Sequence, residues 1–206
     1  MSSIKLKHSG GNSVSIAAPS SNPASNRTLT VPSNADGTIL TTTSPKSGNI
    51  LQVVQTVKTD TTSINSATYA DISGFTATIT PSSASNKILI SFVLQFGGTN
   101  NSYVAFKAYR GSTLLPIGTE GTGNMTNCSF GGYLEQNNSQ FGVSTAVWQY
   151  LDSPSSTSAL TYKLQWASVY QPGGTYQFYL NRPYNADNNA YNLFGTSSVT
   201  AMEVAA

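Results

Sequence analysis

Most of the chain alternates between apolar and polar residues with a period of two, the pattern of β-strands that bury one face. Two segments show this alternation most clearly. The apolar positions of the first are Ile88, Ile90, Phe92, Leu94 and Phe96, and those of the second are Leu160, Tyr162, Leu164 and Trp166. We predict one strand from each segment and expect both apolar faces to lie in the core.

Weaker alternation predicts six further strands, and turn clusters rich in Pro, Gly and Ser separate them. These strands cover residues 51–57, 75–79, 103–109, 143–151, 176–180 and 197–204. No window long enough for a stable helix has a helical period. Short strands at this spacing predict an all-β fold, an antiparallel two-sheet jelly-roll sandwich, with the last strand locked into a sheet.

The first 45 or so residues have a different character. Ser, Thr, Asn, Pro and Gly dominate, and no apolar run is long enough to build a core. Residues 13–17 and 28–31 alternate briefly, but strands this short are unstable alone. The sequence therefore predicts an extended N-terminal attachment arm at residues 1–48 and a jelly-roll head at residues 49–206.

Composition excludes several partners. The formal net charge is only +2 and only 9% of residues are charged. Because phosphate binding needs a concentrated positive field, we expect no nucleic-acid partner. No apolar stretch approaches the roughly 20 residues of a membrane span, and no secretory signal opens the sequence. We therefore expect no membrane insertion.

Histidine and cysteine are too scarce for the common catalytic and metal sites. The one histidine, His8, lies in the predicted arm, so a Ser-His-Asp or Cys-His arrangement would need a residue outside the head. The one cysteine, Cys128, excludes an internal disulfide and is interpreted as a buried thiol within a strand. A zinc site needs several such ligands. We expect no cofactor, no metal and no enzymatic activity.

Carboxylates leave one catalytic alternative open. Glu120, Glu135 and Asp152 could meet in space, and two acids suffice for glycoside hydrolysis. Asp71, Asp152 and Asp187 form a weaker candidate set for calcium, because no closely spaced acidic run accompanies them. The alternative for each acid is an ordinary solvated position near a turn.

Polar loops with tyrosines are the better candidates for a binding site. Aromatic faces beside amides and carboxylates suit sugar rings and their hydroxyls. The candidate receptor-binding residues are Tyr184, Asn185, Asp187, Asn188, Asn189 and Tyr191 in one loop, and Asn100, Asn101 and Tyr103 in another. Residues 136–140 and 170–172 are similar in kind. The alternative is that all of these are ordinary polar turns.

Short phrases in a fixed order resemble a known family. In the N-terminal segment they stand at residues 28–32 (TLTVP) and 35–42 (ADGTILTT). In the head they stand at residues 79–83 (ITPSS), 85–88 (SNKI), 150–154 (YLDSP), 180–182 (LNR) and 195–203 (GTSSVTAME). The arm resembles the N-terminal segments of bacteriophage tail-fibre and related virion proteins, and the head is similar to heads of marine phage fibres.

The resemblance implies a homotrimeric virion protein that is assembled in the host cytoplasm. Residues 1–45 would dock on another virion protein of the tail or capsid, and the head would bind a glycan or protein of the host surface. Three arms wound together would bury Leu29, Val31, Ile39 and Leu40 between chains. The arm has no shaft repeats or heptads, which favours a short tail fibre. The alternatives are a capsid decoration or capsid-fibre protein and a free carbohydrate-binding or glycan-cleaving domain.

Overall fold

The computed structural model describes residues 3–7, 9–17, 45–134, 140–170 and 176–206. The chain forms two compact units, Met1–Ile39 and Leu40–Ala206. In the first, β1 (Ser3–Lys7) pairs antiparallel with β2 (Ser13–Ala17). The brief alternation at residues 13–17, too short for a strand that is stable alone, corresponds to β2, and its partner β1 was not predicted.

The other predictions for the N-terminal arm lie outside the described residues. These are the strand at residues 28–31 and the packing positions Leu29, Val31, Ile39 and Leu40. The position of His8 is outside them as well. The division of the chain at residue 48 stays a prediction.

The second unit is built from strands, and all eight strands predicted there are present. They are β3 (Ile50–Lys58), β4 (Thr62–Ile64), β5 (Ala70–Ile79), β6 (Lys87–Gly98), β7 (Ser102–Arg110), β8 (Thr113–Leu114), β9 (Phe130–Leu134), β10 (Ser144–Asp152), β11 (Leu160–Tyr170), β12 (Phe178–Leu180) and β13 (Ser197–Val204). The short strands β4, β8 and β9 were not predicted. The described part of the chain contains no helix that is long and apolar enough to cross a membrane.

The strand order is that of a jelly roll. The first sheet runs β3-β13-β6-β10, with β12 and β4 extending it at one end. The second sheet runs β5-β11-β7-β9, with β8 beside the end of β7. Successive principal strands along the chain fall in an order typical of the antiparallel double-sheet jelly roll. The predicted fold class is therefore confirmed, by long-range pairings that no local pattern determines.

The predicted apolar faces form the core between the sheets. Eight of the nine predicted positions are buried, and Leu160 packs partly buried against them. Phe92 of the first sheet lies 6.1 Å from Phe75 of the second and 6.2 Å from Trp148, measured between ring centroids. Aromatic pairs at this separation add to the stabilisation that burial alone provides.

Gly97 allows β6 to approach the chain that follows β12. A Cβ at this position would lie 2.5 Å from the Arg182 carbonyl oxygen and 2.7 Å from Pro183 Cα. Because both obstacles are backbone atoms, we expect Gly97→Ala to lower the free energy of unfolding by about 1–3 kcal/mol or more. Urea denaturation would measure the loss.

Gly142→Ala is the matched control for this prediction. A Cβ at Gly142 meets nothing within 4 Å, so we expect a change within about 0.5 kcal/mol. Equal stability of the two variants would contradict the close approach at Gly97.

Candidate functional site

Several loops meet at one end of the sandwich. β6 ends there at Gly98, which pairs with Phe178 at the start of β12, and β10 begins beside Phe96. The backbone N–H of Asn101 donates to the backbone carbonyl of Leu134 (2.7 Å), and the backbone N–H of Asn185 donates to the backbone carbonyl of Gln140 (2.8 Å). Both loops that the sequence singled out as binding candidates are therefore at this end.

Two tyrosines and an asparagine form an aromatic and amide cluster at this end. Tyr103 of β7 lies directly opposite Tyr133 of β9, with ring centroids 4.6 Å apart. The Tyr133 hydroxyl donates to Asn101 Oδ1 (2.8 Å). Tyr103 is 43% exposed and Tyr133 41%. Asn101 and Tyr103 were predicted site residues, and the structure places them together, whereas Tyr133 was not predicted.

This cluster borders a groove of roughly 590 Å³, which we call the Tyr103 groove. Its walls come from Asn101, Tyr103, Asn124, Met125, Thr126 and Val169. The volume is within the range of about 300–1,000 Å³ that is usual for small-ligand sites. An aromatic ring, two amides and a hydroxyl around such a volume suit a sugar ring, whose apolar face can stack on tyrosine while its hydroxyls bind the amides.

In the loop between β12 and β13, several polar side chains form hydrogen bonds to one another. The Asp187 carboxylate accepts hydrogen bonds from Asn192 Nδ2 (2.6 Å) and Asn189 Nδ2 (2.7 Å). The bond from Asn192 is the main cause that lowers the pKa of Asp187. Asn185 instead bonds to Gln140, while Asn188 is exposed. The predicted set of amides and carboxylate in this loop is therefore partly occupied by contacts within the protein.

The aromatic residues of the same loop make two separate contacts. Tyr191, 56% exposed, packs edge-to-face on Phe141 with ring centroids 5.3 Å apart. Tyr184 packs on Tyr179 at 6.1 Å, and Arg182 Nη2 donates to the Tyr184 carbonyl (2.9 Å). The structure thus places Tyr184 and Tyr191 apart from the Tyr103 cluster in their contacts.

Asp152, a candidate for both catalysis and calcium, is a structural anchor. Its carboxylate is almost fully buried, and Oδ2 accepts from Arg110 Nη1 (2.6 Å) and from the Tyr162 hydroxyl (2.7 Å). Burial, followed by the bond to Asp152, raises the pKa of Tyr162. Of the other acids proposed for hydrolysis, Glu120 is exposed in a loop, and Glu135 lies outside the described residues. Among the described residues, the hydrogen bonds of the Asp152 carboxylate are therefore to Arg110 and Tyr162 and not to a second acid.

The acids proposed for calcium each have their own partners. The Asp71 carboxylate accepts from Lys163 Nζ (2.7 Å) and Gln165 Nε2 (2.9 Å), and the bond from Lys163 lowers its pKa. Within the described ranges, no group of three or more His, Cys, Asp or Glu side chains is placed to hold a metal ion.

Cys128 differs from its predicted setting. It lies in the loop just before β9 and is half-buried, not fully buried inside a strand. Burial raises the pKa of the Cys128 thiol, which keeps it protonated and less nucleophilic at neutral pH.

Comparisons with known proteins give distant likenesses. No family model matches the sequence, and no curated protein is similar to it. Among solved structures, infectious bursal disease virus Gt strain aligns at 14% identity and TM-score 0.40, covering 95% of this chain and 48% of that one. T=1 particles derived from the same virus align at 13% and 0.40, covering 87% and 41%.

A third likeness is to the VP2 subviral particle of infectious bursal disease virus, at 12% identity and TM-score 0.35, covering 94% of this chain and 46% of that one. The chain thus spans less than half the length of each of these proteins. The assignment of a jelly roll rests on the strand order of this chain itself.

Proposed function

We propose that the chain is a virion structural protein that attaches the particle to a glycan of the host surface through the Tyr103 groove. The glycan site is supported by one observation: the aromatic pair of Tyr103 and Tyr133 borders this groove, and the Tyr133 hydroxyl orients the side-chain amide of Asn101. The proposal of a virion protein is supported by the ordered phrases that resemble phage fibre proteins, together with the jelly-roll head.

The groove has the groups that sugar recognition requires. The exposed ring of Tyr103 offers an apolar face for the C–H side of a pyranose. Asn101 Oδ1 already accepts from the Tyr133 hydroxyl, so its NH₂ group is what the side chain can offer to a ligand hydroxyl. Asn124 and Thr126 add an amide and a hydroxyl on another wall. A sugar ring would therefore be both stacked and hydrogen-bonded.

We propose a short homotrimeric tail fibre as the form in which this site acts. Residues 1–45 would dock on another virion protein, and three weak sites on one trimer would raise the avidity without any new contact. The proposed attachment involves no catalytic step and no cofactor. A capsid decoration or capsid-fibre protein is the alternative, and particle imaging with a label on the head would distinguish tail from capsid.

Tyr103→Ala is expected to weaken glycan binding about 30-fold or more. Removing an aromatic anchor from a binding site costs about 2 kcal/mol or more, which corresponds to roughly 30-fold in affinity. An array of oligosaccharides from bacterial surface polysaccharides would identify a glycan that the wild-type protein retains. Isothermal titration calorimetry with that glycan would then compare the proteins.

Tyr191→Ala is the matched control, because Tyr191 is also an exposed tyrosine of this end but lies on the other loop. We expect unchanged affinity for it. Loss of binding in Tyr191→Ala with retention in Tyr103→Ala would assign the site to the β12–β13 loop instead. Retention of no glycan by the wild-type protein would contradict glycan attachment altogether.

A further inference from the structure

The outward face of the β3-β13-β6-β10 sheet exposes two rows of mainly apolar side chains. Val53 and Val57 of β3 are 55% and 52% exposed at one edge, and Val147 and Leu151 of β10 are 56% and 44% exposed at the other. The pairing register aligns them across the sheet, through Met202 and Leu89 in one row and through Ser198 and Val93 in the other. We call this surface the outer face of the first sheet.

A polar row lies between the two apolar rows, and its groups are bonded within the face. Gln55 Nε2 donates to Thr200 Oγ1 (2.8 Å), and Gln149 Nε2 donates to Ser91 Oγ (3.2 Å). Covering a polar group is costly when the group loses its hydrogen bond. Because these bonds run across the strands and need no water, a partner could cover the row at a small cost.

The face also differs from the opposite side of the sandwich in charge. None of the side chains in its three rows is charged. The second sheet, in contrast, carries the ion pair between Lys163 and Asp71. A charged partner would lose hydration at an uncharged face without gaining an ion pair. Other copies of this chain present the same uncharged rows with the same spacing, so copies arranged around a common axis can meet at this face without repulsion.

We propose that the outer face of the first sheet is the surface through which copies of this chain bind one another. Four strands about 4.8 Å apart and three rows of side chains give a footprint of roughly 400 Å². This is about half of the roughly 800 Å² per partner in a standard stable interface, so the association through it is reversible. The inference assigns a surface to the proposed self-association and is independent of the glycan site.

The test is the mass of the full-length protein in solution over a range of concentrations. Sedimentation equilibrium from about 1 to about 100 μM is expected to show the mass rising above that of the 21.7 kDa chain. Val147→Lys and Val57→Lys, on opposite edge strands, would each place a charge in the interface. Both are expected to require at least tenfold higher concentration for the same association.

Leu193→Lys is the control, because Leu193 is 57% exposed and lies in a loop outside this face. It is expected to associate like the wild-type protein. The proposal is overturned by a wild-type mass of one chain at every concentration, by both valine variants associating normally, or by an equal loss in Leu193→Lys. Thermal unfolding verifies that each variant is folded. Glycan binding by Val147→Lys is measured on the same array. If this variant binds the glycan but does not associate, the loss of association is separate from any failure of the glycan site.

Discussion

Removal of Thr200–Ala206 is expected to abolish folding of the Leu40–Ala206 unit. β13 lies between β3 and β6 and pairs with both along its length. Deleting most of it would leave the facing backbone groups of two strands without partners inside the protein, and would take Ala201 out of the core. Unsatisfied buried backbone groups each cost about 1–3 kcal/mol, so the sum exceeds the roughly 5–15 kcal/mol by which domains are stable.

Soluble yield and far-ultraviolet circular dichroism would measure this effect. The control is removal of residues 1–39, the first compact unit, which should leave the second unit folded with a cooperative thermal transition. A C-terminally shortened protein that is soluble and melts like the full chain would contradict the central position of β13.

The unpredicted strand β9 shows where the apolar and polar pattern fails to predict a strand. β9 contains Gly131 and Gly132, which in sequence indicate a turn. In the structure, a Cβ on Gly132 would lie 2.4 Å from Phe96 Cζ. Glycine is therefore required here because the Phe96 ring packs onto the bare backbone of β9. That requirement depends on a residue 36 positions away in the chain, so no local pattern can reveal it.

The binding candidates were only partly predictable for a related reason. Asn101 and Tyr103 stood out by their composition and position in a loop. Their partner Tyr133 becomes visible only when the β7–β9 register places it opposite Tyr103. In the β12–β13 loop, composition suggested available polar groups, but Asp187 is bonded to neighbouring asparagines. Sequence does not distinguish a polar group that faces a ligand from one that faces its own loop.

Three phrases of the head that resemble phage fibre proteins contain buried polar anchors of the fold. Asn181 Nδ2 donates to the Lys58 and Asp60 carbonyls, and Ser197 Oγ donates to Asn181 Oδ1. Asp152, in another phrase, binds Arg110 and Tyr162. These segments of the head therefore contain residues that hold the jelly roll together. The Tyr103 groove lies outside them, so the resemblance does not bear on the proposed glycan site.

Glu203→Leu is expected to lower the free energy of unfolding by about 2–4 kcal/mol at neutral pH, because a buried acceptor is lost. Glu203 is 1% exposed. Its Oε1 accepts from Asn86 Nδ2 (2.6 Å) and the Ser82 amide (2.7 Å), and its Oε2 accepts from Gln52 Nε2 (2.6 Å). These bonds fix the turn between β5 and β6 to the last strand. Leucine fills the space but leaves the buried side-chain amide of Asn86 without this acceptor. Urea denaturation would measure the loss in free energy of unfolding.

The Glu203 carboxylate should make the free energy of unfolding depend on pH, and the Glu203→Gln variant isolates its contribution. Burial would raise the pKa of Glu203, but hydrogen bonds from Asn86, Gln52 and Ser82 outweigh burial and lower it below the ordinary value of 4.5. A group with a lowered folded-state pKa stabilises the protein above its unfolded-state pKa, and this stabilisation is lost as the pH falls through the folded-state value. The stability difference between wild type and Glu203→Gln should therefore be largest near neutral pH and shrink below about pH 4.5. Asp71 also has a lowered pKa, but it is present in both proteins and cancels in the difference. A difference that stays constant from neutral pH into the acid range would show that the Glu203 carboxylate is not held ionised by these bonds.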